Sequence, residues 1–341
     1  MAAYTTIDNP ELYFQTKIYT GDGTTSNAQT FDGSENMQAN MIWFKRRSGS
    51  GNHFLYDSVR GANRSLVPND TDSEATSGEQ TTYLASFDSD GFTLGDDVNN
   101  INASSETYVA WAWKESADAG FDIVSYTGNG SNRTISHSLS AKPAMIIVKQ
   151  TSASRDWWVY NKNLDGTDGA TGVIYLDLTD AAGTGATTSW NSTAPTTSVF
   201  SLGTTVGVNQ DSGTYIAYCF AEKQGFSKFG TYEGNNNASG PYIYLGFKPA
   251  WFMTKKKNGS KDWNIYDNKR SDSGGGNAND QYLEANTATA EQSGQDVDFL
   301  STGVKIRSTS SEVNGDDNNF IYMAFAESPL VNSNGVPNNA E

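Results

Sequence analysis

Residues Thr214–Lys223 read TYIAYCFAEK. Side chains alternate between the two faces of a strand, so Ile216, Tyr218 and Phe220 share one face and Ala217 and Cys219 the other. Both faces are apolar, one with large residues and one with small. The pattern recurs in ETYVAWAWKE (Glu106–Glu115) and in NNFIYMAFAE (Asn318–Glu327), where Val109, Trp111, Trp113 and then Ile321, Met323, Phe325 form the large face. A strand dry on both sides is a central strand, packed in a sandwich core on one side and under a neighbouring unit or loop on the other.

Three more landmarks repeat with it. A turn is written YTGDG from Tyr19, YTGNG from Tyr126 and YEGNN from Tyr232. A strand ending in lysine follows: NMIWFK to Lys45, PAMIIVK to Lys149 and PAWFMTK to Lys255. An aromatic strand centred eleven residues after each lysine contains Tyr56, Tyr160 and Tyr266. Successive copies of all four landmarks lie 104 to 107 residues apart, which marks an internal repeat. A weaker match joins DGFTLG at Phe92, SVFSLG at Phe200 and TGVKIRS at Val304.

Each copy offers five or six short strands separated by Gly, Asn, Asp and Ser clusters, the pattern of a small sandwich. The expected fold is all-β, with three tandem related β-sandwich units of jelly-roll or lectin-like kind. Their expected bounds are 1–117, 118–225 and 226–331, with 332–341 a polar tail or docking strap. Composition agrees: Gly 33, 12% aromatic and 18% charged suit a turn-rich β protein better than a long-helix one. A single cysteine, Cys219, excludes an intrachain disulfide, so packing must hold the fold.

The net charge of -16 argues against nucleic acid, whose binding needs a basic stripe. No run approaches 18 apolar residues, and the start MAAYTTIDNPELYF lacks a basic region followed by an apolar one, so membrane insertion is not expected and a cytoplasmic product is. The two histidines, His53 and His137, occupy non-equivalent places and read as satisfied or solvent-facing imidazoles; with one cysteine, soft zinc ligands are too few.

Structural calcium is conceivable at Asp88–Gly91, Asp165–Gly169 and Asn314–Asn319, but these loops lack the twelve-residue pattern and read as turns. Hence no catalytic residue, metal ligand or cofactor is assigned. Among Trp157, Trp158, Trp190 and Trp263, the strand tryptophans are expected in the core, and Trp190, in a loop, is the ligand-binding candidate. The triplets Lys45-Arg46-Arg47 and Lys255-Lys256-Lys257, reduced to Lys149 in the middle copy, read as solvated strand ends that discourage edge pairing. Acidic partner subunits or anionic glycans are their alternative targets. Loops 180–198 and 269–281, in the same part of the repeat, could carry variable binding surface.

MAAYTTIDNPELYFQTKIYTG, YDSVRGA (Tyr56–Ala62), SFDSDGFTLG, YIAYCFAEKQGFSKFGTYEGN, GFKPAWFMTKK and FIYMAFAESPLVNSNGVPNNA closely resemble an uncharacterised repeat family of marine tailed bacteriophages, over essentially the whole chain. The resemblance implies a non-enzymatic virion structural protein, tail-fibre-like, assembled in the host bacterial cytoplasm with other capsid or tail proteins and with copies of itself. Contact with a host-surface glycan or envelope protein would follow. A purely architectural decoration and a carbohydrate-binding or carbohydrate-degrading module are the alternatives. No heptad or other fibrous segment accompanies the repeats, which favours a compact knob, short fibre or capsid-surface protein over a long shaft.

Overall fold

The structure, a computed structural model, describes residues 4–97, 99–271 and 277–337. Part of the 269–281 loop and the last four residues of the polar tail lie outside the described residues. The chain is almost entirely β, arranged in several antiparallel sheets. Its one α-helix among the described residues is the single turn Val206–Asn209.

One four-stranded arrangement occurs three times. An opening strand (Phe14–Thr20, Phe121–Thr127, Ser227–Glu233) pairs with a closing strand (Thr107–Trp113, Thr214–Ala221, Asn319–Pro329). The closing strand pairs on its other edge with a lysine strand (Met41–Arg46, Pro143–Gln150, Phe247–Lys256), and that in turn with an aromatic strand (Phe54–Asp57, Trp158–Asn161, Trp263–Asp267). The register repeats too. Lys45 faces Val109, Lys149 faces Ile216 and Lys255 faces Ile321.

The turn landmark has a definite task in each copy. Tyr19, Tyr126 and Tyr232 stack on Tyr108, Tyr215 and Phe320 at centroid separations of 5.2, 5.1 and 4.8 Å. Their hydroxyls donate to the carbonyls of Ile101, Val208 and Val313. The next residues, Asn102, Asn209 and Asn314, are fully buried and accept the turn's N–H groups from Asp22, Asn129 and Asn235. Glycine is needed just before, because a Cβ on Gly21, Gly128 or Gly234 would stand 2.2–2.3 Å from a backbone carbonyl oxygen.

Second sheets lie over these. In the first repeat Asn27–Gln29, Gly91–Leu94 and Leu84–Asp88 form one, and in the second Arg133–Ser136 pairs with Val199–Leu202. In the third, Ala278–Glu284 continues from the aromatic strand into Gln292–Leu300, Gly303–Ile306 and Tyr242–Tyr244, giving an eight-stranded sheet that curls into a nearly closed, barrel-like form.

The small faces of the closing strands point at these second sheets: Ala110 and Ala112 pack with Phe92 and Leu94, and Ala217 and Cys219 with Phe200 and Leu202. The large faces converge on one another. Trp111, Trp113, Tyr218, Phe220, Met323 and Phe325 belong to a single core shared by all three repeats. Trp113 meets Trp251 edge-on at 5.6 Å, and Phe220 lies 6.1 Å from Phe325. An aromatic ring buried here removes roughly 150–250 Å² from water, about 4–6 kcal/mol at ~25 cal/mol/Å². The space left where the repeats meet is only about 10 Å³, too small to hold ordered water comfortably.

The lysines, expected as solvated strand ends, are instead fully buried clasps between repeats. Lys149 Nζ donates to Thr71 O of the first repeat at 2.7 Å, Lys255 Nζ to Thr179 O of the second at 2.9 Å, and Lys45 Nζ to Ala288 O of the third at 3.2 Å. The same three carbonyls accept the N–H groups of Arg155, Lys261 and Gly51. Three equivalent joints therefore close the repeats into a ring. Ring N–H groups reinforce each joint: Trp157 Nε1 donates to Val67 O at 3.0 Å, and Trp263 Nε1 to Tyr175 O at 2.8 Å. His53 takes the tryptophan's place in the first repeat. Its Nδ1 accepts from Trp43, so Nε2 carries the hydrogen and donates to Glu284 O at 2.9 Å.

A second tie differs among the joints. Arg60 and Asp57 pair at 2.5 Å in the first repeat, and Tyr218 of the second donates its hydroxyl to that carboxylate at 2.7 Å. Arg270 and Asp267 pair likewise in the third, with Trp111 of the first donating at 2.8 Å. The second repeat has Asn161 and Leu164 at these positions, and the third repeat has Met323 at the strand place of Trp111 and Tyr218.

Burial, the largest cause, lowers the pKa of each clasp lysine from 10.5 to about 8. The folded chain thus releases these protons before the unfolded chain does, and stability should rise with pH from about 8. Opposition begins near 9, where the buried Cys219 thiol, and later Tyr56, Tyr218 and Tyr266, are held protonated while their unfolded counterparts ionise. Denaturant titrations should show about 1 kcal/mol per lysine gained between pH 7.5 and 9, with roughly a third of the rise absent in Lys255→Met. In the same assay Asp267→Ala, which leaves the buried Arg270 guanidinium with Glu291 as its one carboxylate partner, should cost about 3 kcal/mol; Asn161→Ala at the uncharged joint should cost about 1 kcal/mol.

Candidate functional site

The three joints are also comparable at their rims. Two residues beyond each clasp lysine stand Arg47, Thr151 and Lys257, whose carbonyls accept the N–H groups of Glu291, Glu74 and Ala182 from the adjoining repeat at 3.0, 3.0 and 2.8 Å. Backbone geometry is thus shared, and the side chains decide what the rim can do.

At two rims a cation fills the gap. Arg47 reaches the Glu291 carboxylate through Nε and Nη2, with Nη2 at 2.9 Å, and Arg270 binds the same carboxylate at 2.9 Å. Lys257 extends to the carbonyl of Asn163 at 3.0 Å. Thr151 is too short for either contact. Its hydroxyl bonds instead to that of Thr214 at 2.7 Å, and an open cleft of about 430 Å³ remains between the first and second repeats. That is within the roughly 300–1,000 Å³ of small-molecule sites.

Arg60, Arg64 and Glu74 form one wall of the cleft. Arg60 bonds Asp57, the carbonyls of Leu55 and Arg64, and Glu74 at 3.1 Å, so its guanidinium is fixed in place. Arg64 is looser: it touches Glu74 at 3.4 Å and its side chain is 37% exposed. The facing wall carries the hydroxyls of Ser125, Thr127, Thr151 and Thr214. Tyr126, half-buried between Ser125 and Thr127 on the strand, turns to the opposite face, where its ring stacks on Tyr215 and its hydroxyl donates to Val208 O. Two guanidiniums balance the carboxylates of Asp57 and Glu74, leaving a polar and formally neutral site.

A second open cleft of about 470 Å³ lies where the link between the second and third repeats passes Tyr4 and Tyr244. Lys228 sits over the Tyr244 ring at 5.3 Å, Tyr4 donates to Gly246 O, and Glu222 pairs with Lys162.

Trp190, the ligand candidate from the sequence, is 1% exposed. Its ring packs edge-on to Tyr160 at 5.9 Å and its indole N–H donates to Gly172 O, so no ring face is open to a ligand. Trp157 and Trp263 are buried as expected, while Trp158 is half-buried. His53 is buried and satisfied, and burial holds its pKa well below 6.5. His137 contacts Thr196 O, and burial lowers it too. In the acidic loop 165–169, Asp165 accepts the N–H groups of Thr167, Gly169 and Thr171, and hydrogen bonds of this kind keep its carboxyl well below the usual range. Its oxygens serve the turn itself.

One carboxyl pair invisible in the sequence is brought together at the link between the first two repeats. Burial, then a hydrogen bond to Asp122, raises Glu115 from 4.5 to about 7. Glu115 accepts Ile123 N–H and Asp122 accepts Ser138 N–H, which commits both to holding the link. Of the basic triplets, Arg46 pairs with Glu106 and Arg47 with Glu291, so these residues serve the fold.

The residues missed from sequence are Arg60, Arg64, Glu74 and Thr151. The available signal was the middle triplet, Lys149-Gln150-Thr151, against Lys45-Arg46-Arg47 and Lys255-Lys256-Lys257. No curated protein matches the chain. The family model described as Domain of unknown function (DUF7483) matches residues 9–329, and the chain belongs to that family.

Proposed function

We propose that the chain is a non-enzymatic structural and recognition protein of a tailed-bacteriophage particle. In this reading three β-sandwich repeats of jelly-roll or lectin-like kind form one body, displayed as a tail fibre, tip or capsid decoration, that contributes to host-surface attachment. Its partners are other capsid or tail proteins and further copies of the chain, assembled in the cytoplasm of the infected bacterium.

The observation that carries the reading is the contrast between joints: three equivalent clasps lock the repeats, two rims are filled by Arg47 and Lys257, and one is open. A rigid frame with one accessible polar cleft suits recognition, since groups already held in place lose little freedom on binding. The sequence resemblance supplies the particle. Disulfide-free packing and a net charge of -16 suit a protein made in a reducing cytoplasm and exposed to salt water, where self-repulsion is screened.

Immunogold labelling with antibody to the purified chain should decorate intact particles of the encoding phage, and fluorescent chain should be retained on host cells and displaced by unlabelled chain. Undecorated particles would remove the virion role. Decorated particles whose protein is not retained by host cells would put a purely architectural role in its place.

A further inference from the structure

We infer that the cleft between the first and second repeats, walled by Arg60, Arg64 and Glu74 on one side and by the hydroxyls around Thr151 on the other, binds a neutral polyhydroxylated ligand, a saccharide of the host surface. The inference rests on the recognition role proposed above and names its ligand.

The chain contains its own control. The rim position that holds Thr151 holds Arg47 in the first repeat, and there the guanidinium completes the Glu291 carboxylate with bonds of 2.9–3.2 Å. Glu74, the counterpart of Glu291, has its charge met by Arg60 and by Arg64 from its own repeat. Charge is thereby closed without a residue at the Thr151 rim. A cationic ligand would have to displace Arg64, and an anionic one would face Glu74 and a chain of net charge -16. A neutral ligand meets neither obstacle.

Hydrogen-bond capacity narrows the class further. Among the described residues the Arg64 guanidinium makes one hydrogen bond, to Glu74 at 3.4 Å, so most of its donors face solvent. Glu74 retains acceptor lone pairs, and Ser125, Thr127, Thr151 and Thr214 can each donate or accept. Paired donors beside acceptors match vicinal hydroxyls, which do both at once. Glu74 is also anchored by its own N–H to Thr151 O at 3.0 Å, so the two walls are held in fixed relation.

The full chain, with backbone and Arg Nε resonances assigned, is titrated with neutral glucose-, galactose- and mannose-based oligosaccharides, and in parallel with sialylated, sulfated and amino-sugar oligosaccharides. Neutral sugars should shift Thr151, Thr214 and Arg64 Nε, with affinity unchanged between 50 and 500 mM salt. Thr151→Arg, which installs the residue that plugs the equivalent rim, should weaken binding at least tenfold while leaving the melting temperature unchanged; Arg64→Gln should weaken it severalfold, and serves alone if the first variant disturbs the joint. Absence of shifts at the cleft, tighter or salt-dependent binding of a charged sugar, or full affinity in a folded Thr151→Arg variant would overturn the inference. Host-cell retention of the same proteins separates the two claims: retention of wild type and Thr151→Arg alike refutes the cleft and keeps the recognition role, whereas no retention of wild type refutes the role.

Discussion

The structure depends on three closing strands that are dry on both faces. Each is hydrogen-bonded along both edges, to an opening strand and a lysine strand, so its backbone is satisfied without water. Its small face completes its own repeat, and its large face, beyond same-sheet neighbours such as Phe14 and Trp43, packs against the other repeats. A repeat alone would leave a face such as Val109, Trp111 and Trp113 in water, a patch of the kind that monomeric proteins seldom expose. Closure of the ring is therefore part of folding rather than a docking of finished units. Shape dominates at the centre: the indole N–H groups of Trp113 and Trp251 find no acceptor among the described residues, at about 1–3 kcal/mol each, yet the rings remain.

The joints explain why buried charge is tolerated where it is. A buried Asp–Arg pair needs further hydrogen bonds to offset desolvation. Asp57 has Tyr218 and Asp267 has Trp111, each supplied across a joint. The third repeat carries Met323, which has no donor, at the strand place of Trp111 and Tyr218, and the second repeat carries Asn161 and Leu164 in place of the pair. The ion pair and its distant donor thus vary together within one chain, as expected if the donor is what makes the pair affordable. Such a joint also specifies partner and order, because only one repeat presents the right donor to each carboxylate.

Much of this arrangement was legible in the sequence. The offsets of 104 to 107 residues, the alternation in TYIAYCFAEK and the conserved spacing from lysine to aromatic strand correspond to a shared strand order and register. The lysines were misread because a strand-end lysine ordinarily protects an edge, and nothing local shows that another repeat will cover it with carbonyl groups. Trp190 was misread for a related reason. It stands among Gly, Ser and Thr in a segment without regular structure, yet Gly172 and Tyr160 enclose it from elsewhere in the repeat. The cleft unites residues 60–74 with 125–127, 151 and 214, and no local pattern can announce a site made by two repeats.

Repetition turns that difficulty into evidence. Where three copies share backbone geometry, a side chain that departs from its two counterparts is a perturbation measured against an internal reference. Replacing a plugging cation by Thr151 gives up an ion pair such as Arg47–Glu291, whose members are only 17% and 11% exposed. Left uncompensated, the loss would leave Glu74 with Arg60 alone. Arg64 supplies the missing charge from the carboxylate's own repeat and leaves the rim unfilled. Had stability been the sole constraint, the plugged form used at the other two joints was already available to this chain. Thr151 together with Arg64 keeps the charge balance and leaves the space open, the combination that the proposed cleft requires.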